Sequence, residues 1–342
     1  MTDSDSLCSL GQIYSEDTVF IVISFAKCAL SVIGVFSFGF VYLRQKVISM
    51  FHPNARLIFK FHILFLLFSI IGTISADGAN VLQFTVLKWA SKTPDCPIRP
   101  MSSYFMFTKF LKLMGLEGVT YTATAWVLER IYATVLIGSY EKKRTWIGWF
   151  LGFVAAMLCV ASTAVRSFLA NYSDPFPIVS MPGTGYVFNM VVSHINAALE
   201  FLNVVAILIL LIVNKRRLRR TQTIQCSLTS KYQIRENVQA SALIFPLATI
   251  QCITYLPSDF IIPFVTSHLT FTERITMFTK AEWMSLYYIA LPVSLWWRNG
   301  VHRTSVRNLE QNNLIGQKYE NERKEGKLET ARYFEMFSKM VA

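Results

Sequence analysis

The sequence predicts an all-α membrane protein: a bundle of seven transmembrane helices, with the N-terminus outside the cell and the C-terminus inside. Of the 342 residues, 53% are hydrophobic and only 16% are charged, whereas soluble domains carry about 25% charged residues. The 33 basic residues stand in short blocks between apolar stretches, which is typical of membrane topology rather than of nucleic-acid binding. This composition excludes an ordinary cytosolic enzyme, a disordered chain and a secreted disulfide scaffold.

Seven stretches are apolar enough, and at about 20 residues or more long enough, to cross a membrane. In chain order they are Thr18–Leu43, Leu57–Leu87, Ser103–Val135, Trp146–Arg166, Tyr186–Val213, Val238–Val265 and Ile275–Trp297. The fifth is the clearest, and the seventh is the weakest because it carries Lys280 and Glu282 near its start. We therefore expect three regions: an extracellular N-terminus (1–17), a seven-helix receptor-like domain (18–297) and a cytoplasmic tail (298–342).

The distribution of Lys and Arg predicts the orientation. One alternate set of loops and flanks, which includes the N-terminal segment, holds 6 basic residues, and the other set, which includes the tail, holds 24. Because cytoplasmic loops are enriched in basic residues, the second set is expected inside the cell. No basic residue precedes the first span, so we expect that span to act as an uncleaved signal.

The cysteines and the one glycosylation sequon concern the extracellular side. Only Cys8 and Cys96 of the six cysteines are expected to face the oxidising side, so they are either linked as a disulfide or present as two free thiols. Asn171 begins the sequon Asn-Tyr-Ser in a predicted outer loop, where it is a candidate for glycosylation. The five His residues are scattered and no zinc-binding spacing occurs, which disfavours a membrane zinc hydrolase and predicts no metal or cofactor.

Three motifs carry a family resemblance. The third span ends in a Glu129-Arg130 pair within the run E-R-I-Y-A-T. The motif F-H-P-N-A-R-L-I-F-K-F-H runs from the first inner loop into the second span, and S-K-Y-Q-I-R-E-N precedes the sixth. Together they resemble the nematode serpentine chemosensory receptors, most of all serpentine receptor class A/B, with classes alpha, beta and epsilon close behind. The resemblance covers about residues 18–300.

The resemblance implies a G-protein-coupled receptor. In such receptors an Arg at the position of Arg130 is held by its neighbouring carboxylate, here Glu129, and is released to meet the G protein. The sequence lacks the C-W-x-P motif in span six and the N-P-x-x-Y motif in span seven that rhodopsin-like receptors have. Their activation mechanism is therefore not expected to apply in detail.

Charged residues inside spans are expensive, which makes them candidates for functional sites. At a rise of 1.5 Å per residue, Glu117, Glu200 and Glu282 fall at one depth in spans three, five and seven. We list five candidates for a ligand pocket: Glu117, Glu200, His194, Glu282 and Lys27. Lys27 falls near the level of Glu282, and an ion pair between them is plausible. Lys109, Lys112 and Asp77 fall nearer the outer surface, where they are expected to pair with one another or to snorkel.

The basic run after span five is predicted to continue that helix into the cytoplasm. Its cations are Lys215, Arg216, Arg217, Arg219 and Arg220. Such a run suits either anionic lipids or an acidic patch on a G protein.

The favoured function is a G-protein-coupled chemosensory receptor in the plasma membrane, in sensory neuron cilia. Its expected partners are a small extracellular ligand, a heterotrimeric G protein and membrane lipids, with no nucleic acid and no enzymatic activity. The alternative is a ligand-gated channel or a membrane transporter. An insect-type odorant channel would have its N-terminus inside, and a transporter should show internal repeats, which the sequence lacks.

Overall fold

The computed structural model describes residues 13–44, 52–87, 102–136, 146–169, 186–223, 228–261, 273, 277 and 279–297. Within these ranges the chain is almost entirely helical and contains no strand. The helices are α1 (Thr18–Arg44), α2 (Pro53–Leu82), α3 (Ser102–Val135), α4 (Trp146–Phe168), α5 (Tyr186–Thr223), α6 (Leu228–Leu256) and α7 (284–297). Two π-helical turns, Gln83–Leu87 and Pro257–Ile261, extend α2 and α6.

Each of the seven predicted spans falls on helical residues, but the sixth helix starts earlier than predicted and the seventh span is interrupted near its start. Helix α6 begins at Leu228 rather than at Val238, because polar residues such as Gln233 and Asn237 are buried against the bundle there. The predicted seventh span is helical at 277, at 279–281 and at 284–297, with a non-helical break at 282–283 just before α7.

Among the described helices, α1, α2, α4, α5 and α6 are long and apolar enough to cross a membrane. Helix α3 has 34 residues but does not reach that level of hydropathy. Its charged side chains explain the difference, since Lys112, Glu117, Glu129 and Arg130 point into the bundle rather than into lipid. Helix α3 is therefore a central helix, and groups on neighbouring helices provide partners for its charged side chains.

Helices α2 and α3 approach each other backbone to backbone. A Cβ atom added at Gly115 would lie 2.1 Å from the Ser69 nitrogen, and one at Gly72 would lie 2.5 Å from the Lys112 nitrogen. Close helix packing through small residues is the usual way in which membrane helices gain contact area. This interface fixes the position of α3, from which most of the polar side chains described below project.

The start of α1 is capped and packed against α2. Asp17 is the N-cap residue, because its Oδ1 accepts a hydrogen bond from the Phe20 backbone N–H at 3.0 Å. The rings of Tyr14, Phe20 and Phe84 form a small buried cluster beside it. Lys280 donates to Asp17 Oδ2 at 2.5 Å, which links the start of α1 to the segment before α7.

Candidate functional site

The Glu129–Arg130 pair lies buried near the C-terminal end of α3. Arg130 Nε and Nη2 donate to the two carboxylate oxygens of Glu129 at 2.5 and 2.6 Å. This bidentate geometry is the strongest form of ion pair between these groups. The contact that the motif predicts is confirmed, and both side chains are at most 1% exposed.

Arg130 also reaches α6, which the sequence did not indicate. Its Nη1 donates to Asn237 Oδ1 at 3.3 Å, and Asn237 Nδ2 donates to the Ala133 carbonyl oxygen at 3.3 Å. Asn237 therefore closes a bridge of two hydrogen bonds between α3 and α6. We call Glu129, Arg130 and Asn237 the inner clamp.

Helix α5 joins α3 one turn further along. Asn214 Nδ2 donates to Thr134 Oγ1 at 3.0 Å, and Arg217 Nη1 donates to the Thr134 carbonyl oxygen at 2.6 Å. The basic run is helical as predicted, because α5 continues to Thr223. All five cations of the run are exposed, and Arg217 is set apart by its guanidinium, which reaches back to α3. The other four are Lys215, Arg216, Arg219 and Arg220.

Glu117 is paired with a cation that the sequence places at the very end of the fourth predicted span. Arg166 Nη1 donates to Glu117 Oε1 at 2.7 Å, and Arg166 Nη2 donates to Ser193 Oγ at 3.0 Å. Thr163 adds a hydrogen bond to Glu117 Oε2 at 3.3 Å. Arg166 is in fact buried in the last turn of α4, and it joins α3, α4 and α5. It lies inside the bundle because a buried carboxylate provides its counter-charge.

Glu200 has its partner on α6. Gln251 Nε2 donates to Glu200 Oε1 at 2.5 Å, and both side chains are buried. His194 projects about 120° around α5 from Glu200. It donates through Nδ1 to the Met190 carbonyl oxygen at 2.6 Å, and its ring packs edge-on against Phe260 with the ring centroids 5.5 Å apart. Glu117 and Glu200, which were expected at one depth, thus have partners on different helices, α4 and α6.

The third carboxylate, Glu282, lies in a four-residue charge cluster. Lys112 and Lys27 place their Nζ atoms 2.8 and 3.8 Å from Glu282 Oε2, and Lys112 lies 3.6 Å from Asp77 Oδ2. The expected Lys27–Glu282 ion pair is present, and of the two alternatives for Lys112 and Asp77, pairing and snorkelling, the structure shows pairing. Lys27 also donates to the Thr279 carbonyl oxygen. The cluster is buried and electrically balanced, and it joins α1, α2, α3 and the segment before α7.

Two tyrosines of α7 complete the polar interior. His62 of α2 lies 2.9 Å from the hydroxyl of Tyr287 and 2.9 Å from that of Thr122. The Tyr288 hydroxyl lies 2.6 Å from Ser69 Oγ, which places α7 against α2. These contacts hold the centre of the bundle together with hydrogen bonds, which the bilayer cannot supply.

A comparison with known families decides the identity. A profile described as serpentine type 7TM GPCR receptor class ab chemoreceptor matches residues 6–342. This chain belongs to that family. The receptor is also 22% identical over 259 residues to serpentine receptor class beta-17 of Caenorhabditis elegans, an alignment that covers 74% of this chain and 69% of the relative. The resemblance carried by the three motifs is therefore confirmed, and the seven-helix fold is that of the family.

One buried amide of the receptor stands apart from these networks. Asn196 of α5 is 0% exposed, and within the described part of the chain neither its Oδ1 nor its Nδ2 has a hydrogen-bond partner. An unsatisfied buried amide is costly. Asn196 lies one helical turn from Glu200 and three residues from Ser193, so it is on the polar face of α5. Sequence reasoning passed over it because an Asn in a span carries no charge.

Other predicted sites of the receptor lie outside the described residues. These are the cysteines Cys8 and Cys96 and the sequon at Asn171. In the ranges that the structure covers, Cys28, Cys159 and Cys252 are free thiols. No group of three metal-ligating side chains occurs in those same ranges.

Proposed function

We propose that the receptor detects a small extracellular chemical and signals through a heterotrimeric G protein at the plasma membrane of sensory cilia. The observation that carries this proposal is the inner clamp, which joins α3 to α6 through Arg130. A buried Arg that is shared between a carboxylate and a neutral amide can change partners when a new partner replaces one that is lost. A clamp of this kind is suited to hold one arrangement of the helices until another state is favoured.

The ligand is proposed to act in the polar outer half of the bundle. Glu117, Glu200, His194, Glu282 and Lys27 remain its candidate contacts, and we add Asn196. Glu117, Glu282 and Lys27 already have charged partners in the bundle, so they would contribute mainly by holding the helices. Glu200 contacts α6 through Gln251, and Asn196 lies one turn away on α5. We propose these two as the direct contacts.

The coupling from ligand to clamp is proposed to run along α6. Gln251 binds Glu200 near one end of this helix, and Asn237 binds Arg130 near the other end. A ligand that bonds Glu200 or Gln251 would compete with the hydrogen bond between them. Such a ligand shifts the equilibrium only by its difference in affinity for the two helix arrangements. Pro246 lies between the two contacts and removes one backbone hydrogen bond there.

A ligand screen tests the proposal. Cells that express the receptor at the surface are exposed to volatile and water-soluble chemicals, and cAMP, cGMP and calcium are recorded. We expect at least one chemical to evoke a response that an inhibitor of G-protein activation removes. The matched control is the Arg130→Ala receptor at equal surface abundance, which should not respond. A ligand-evoked current that persists without G-protein activity would support the channel alternative instead.

A further inference from the structure

The basic run of α5 divides into two faces. With 3.6 residues per turn, Lys215, Arg216, Arg219 and Arg220 project within an arc of ~140°, and all four are exposed. The opposite side of the helix carries Asn214, Arg217 and Leu218. We call the first four residues the outer basic face.

The bundle-facing side is defined by contacts rather than by periodicity alone. Asn214 and Arg217 both bond Thr134 of α3, and Leu218 is half-buried. The outer basic face is centred roughly opposite to these contacts. Its cations therefore point away from α3, and away from the Arg130 side of the bundle where a G protein would dock.

The outer basic face continues the lipid-facing surface of the same helix. Leu208, Ile209 and Ile212 project in the same arc one to two turns earlier, and they are 40%, 54% and 42% exposed. Exposed aliphatic side chains at this position on a membrane helix face the acyl chains of the bilayer. The helix leaves the apolar region directly into four cations, so these lie at the level of the lipid headgroups.

We infer that the outer basic face is a binding site for anionic lipid headgroups of the inner leaflet. The four cations lie on one face of α5 at the depth of the headgroups, where the phosphate and carboxylate groups of anionic lipids can bind them. Each basic residue near an anionic membrane surface strengthens binding by about fivefold, and the attraction falls off within a Debye length. The inference is independent of the ligand and of the proposed signalling.

The experiment measures lipid preference on the purified full-length receptor. Phosphatidylserine and phosphatidylcholine are titrated into the receptor in a neutral detergent, and bound lipids are counted by native mass spectrometry. We expect the wild type to prefer phosphatidylserine. Arg216→Gln should lower that preference by about threefold to fivefold, and the Lys215→Gln, Arg216→Gln, Arg219→Gln and Arg220→Gln combination should abolish it. Raising the salt concentration should weaken the wild-type preference.

Arg217→Gln is the matched control, because it removes the same charge from the neighbouring position that faces α3. It should leave the preference for phosphatidylserine within experimental error of the wild type. The inference is overturned if Arg217→Gln acts as strongly as Arg216→Gln, or if the fourfold variant keeps the preference.

A second arm separates lipid from protein as the occupant. Binding of a panel of purified heterotrimeric G proteins is measured in nanodiscs of phosphatidylcholine alone, where no anionic lipid is present. The fourfold variant should bind them as the wild type does. Loss of G-protein binding in these nanodiscs, with lipid preference unchanged, would assign the outer basic face to the G protein and refute the lipid site.

Discussion

Single side chains at the inner end of the bundle decide which helices are held together. Arg130 uses its guanidinium in two directions, with Nε and Nη2 on Glu129 and Nη1 on Asn237. Hydrogen bonds to charged groups contribute about 1.5–3 kcal/mol each. Removing one partner therefore changes the balance between helix arrangements by a factor that a signalling assay can resolve.

The first prediction concerns the two partners of Arg130. Glu129→Gln and Asn237→Ala should each raise basal signalling several-fold, because each weakens the hold on the guanidinium. Arg130→Ala should abolish signalling at unchanged ligand binding. Surface abundance is measured alongside, since a buried Arg without its partner is destabilising. Full ligand-evoked signalling from well-expressed Arg130→Ala would leave Arg130 as a structural residue only.

Asn196 provides the second prediction. Asn196→Leu replaces an amide that lacks partners in the described structure with an apolar group of similar size. The free energy of unfolding of the purified receptor should stay equal or rise, and the largest expected rise is about 1–3 kcal/mol, the cost of an unsatisfied buried amide. The response to an activating chemical should fall if this amide contacts the ligand. A variant that is stabilised and signals normally would remove Asn196 from the ligand site.

Whole helices depend on how closely their backbones approach. Helices α2 and α3 touch where Gly115 meets Ser69 and Gly72 meets Lys112. A methyl group at either position must push two backbones apart, because no flexible side chain stands there to yield. Much of the polar interior also bridges these two helices, so their separation affects the Tyr288 and Lys112 contacts as well.

We predict that Gly115→Ala destabilises the receptor by about 1–3 kcal/mol or more, which is the usual cost of overpacking. Thermal unfolding in detergent and surface abundance are the measurements. Gly39→Ala is the matched control, since a Cβ there meets nothing within 4 Å. Equal stability of the two variants would show that α2 and α3 can separate without cost.

The link between α1 and the segment before α7 is expected to depend on pH. Partial burial raises the pKa of Asp17, but the bonds from Lys280 and from the Phe20 N–H outweigh it, so the pKa lies below its ordinary value. Because the pKa of Asp17 is lower in the folded receptor, its ion pair stabilises the folded state at pH values above the ordinary carboxyl pKa. This stabilisation is lost as the pH falls through the pKa that Asp17 has in the folded receptor. Asp17→Asn keeps the helix cap but removes the charge.

The receptor and Asp17→Asn should therefore differ in melting temperature at pH 7, and the difference should shrink as the pH falls below the ordinary carboxyl pKa of about 4. The expected difference is small, of the order of 1 kcal/mol or less, because the pair is partly exposed. Lys280→Gln should reproduce the behaviour of Asp17→Asn. A difference that is constant from pH 7 to pH 3 would mean that the ion pair contributes nothing.

At the scale of the whole molecule, the number and order of the helices could be predicted from the sequence because apolar length is encoded locally. The Lys27–Glu282 pair could be predicted because depth in the membrane follows from residue count. Contacts such as Arg130 with Asn237 depend on how helices rotate about their axes, which hydropathy does not encode. The burial of Arg166 was missed because a basic residue at the end of an apolar stretch is typical of the membrane boundary. Its counter-charge, Glu117, lies on another helix, and the sequence does not show that the two are in contact.

Topology is the prediction that concerns the whole chain. The difference between 24 and 6 basic residues in the two sets of loops predicts an N-terminus outside and a C-terminus inside. Epitope tags at each end are stained in intact and in permeabilised cells. We expect the N-terminal tag to be accessible in both and the C-terminal tag only after permeabilisation. An N-terminal tag hidden in intact cells would contradict the receptor orientation.

The charge cluster around Glu282 has a consequence for synthesis on the ribosome. Lys27 and Lys112 enter the membrane long before Glu282 has been made, and until then Asp77 is the only acid of the cluster available to two ammonium groups. A chain that stops short of residue 282 thus retains an excess positive charge at the interior of α1 and α3. Such incomplete chains should be held back and degraded by membrane quality control, so that only chains containing the last helix reach the cell surface.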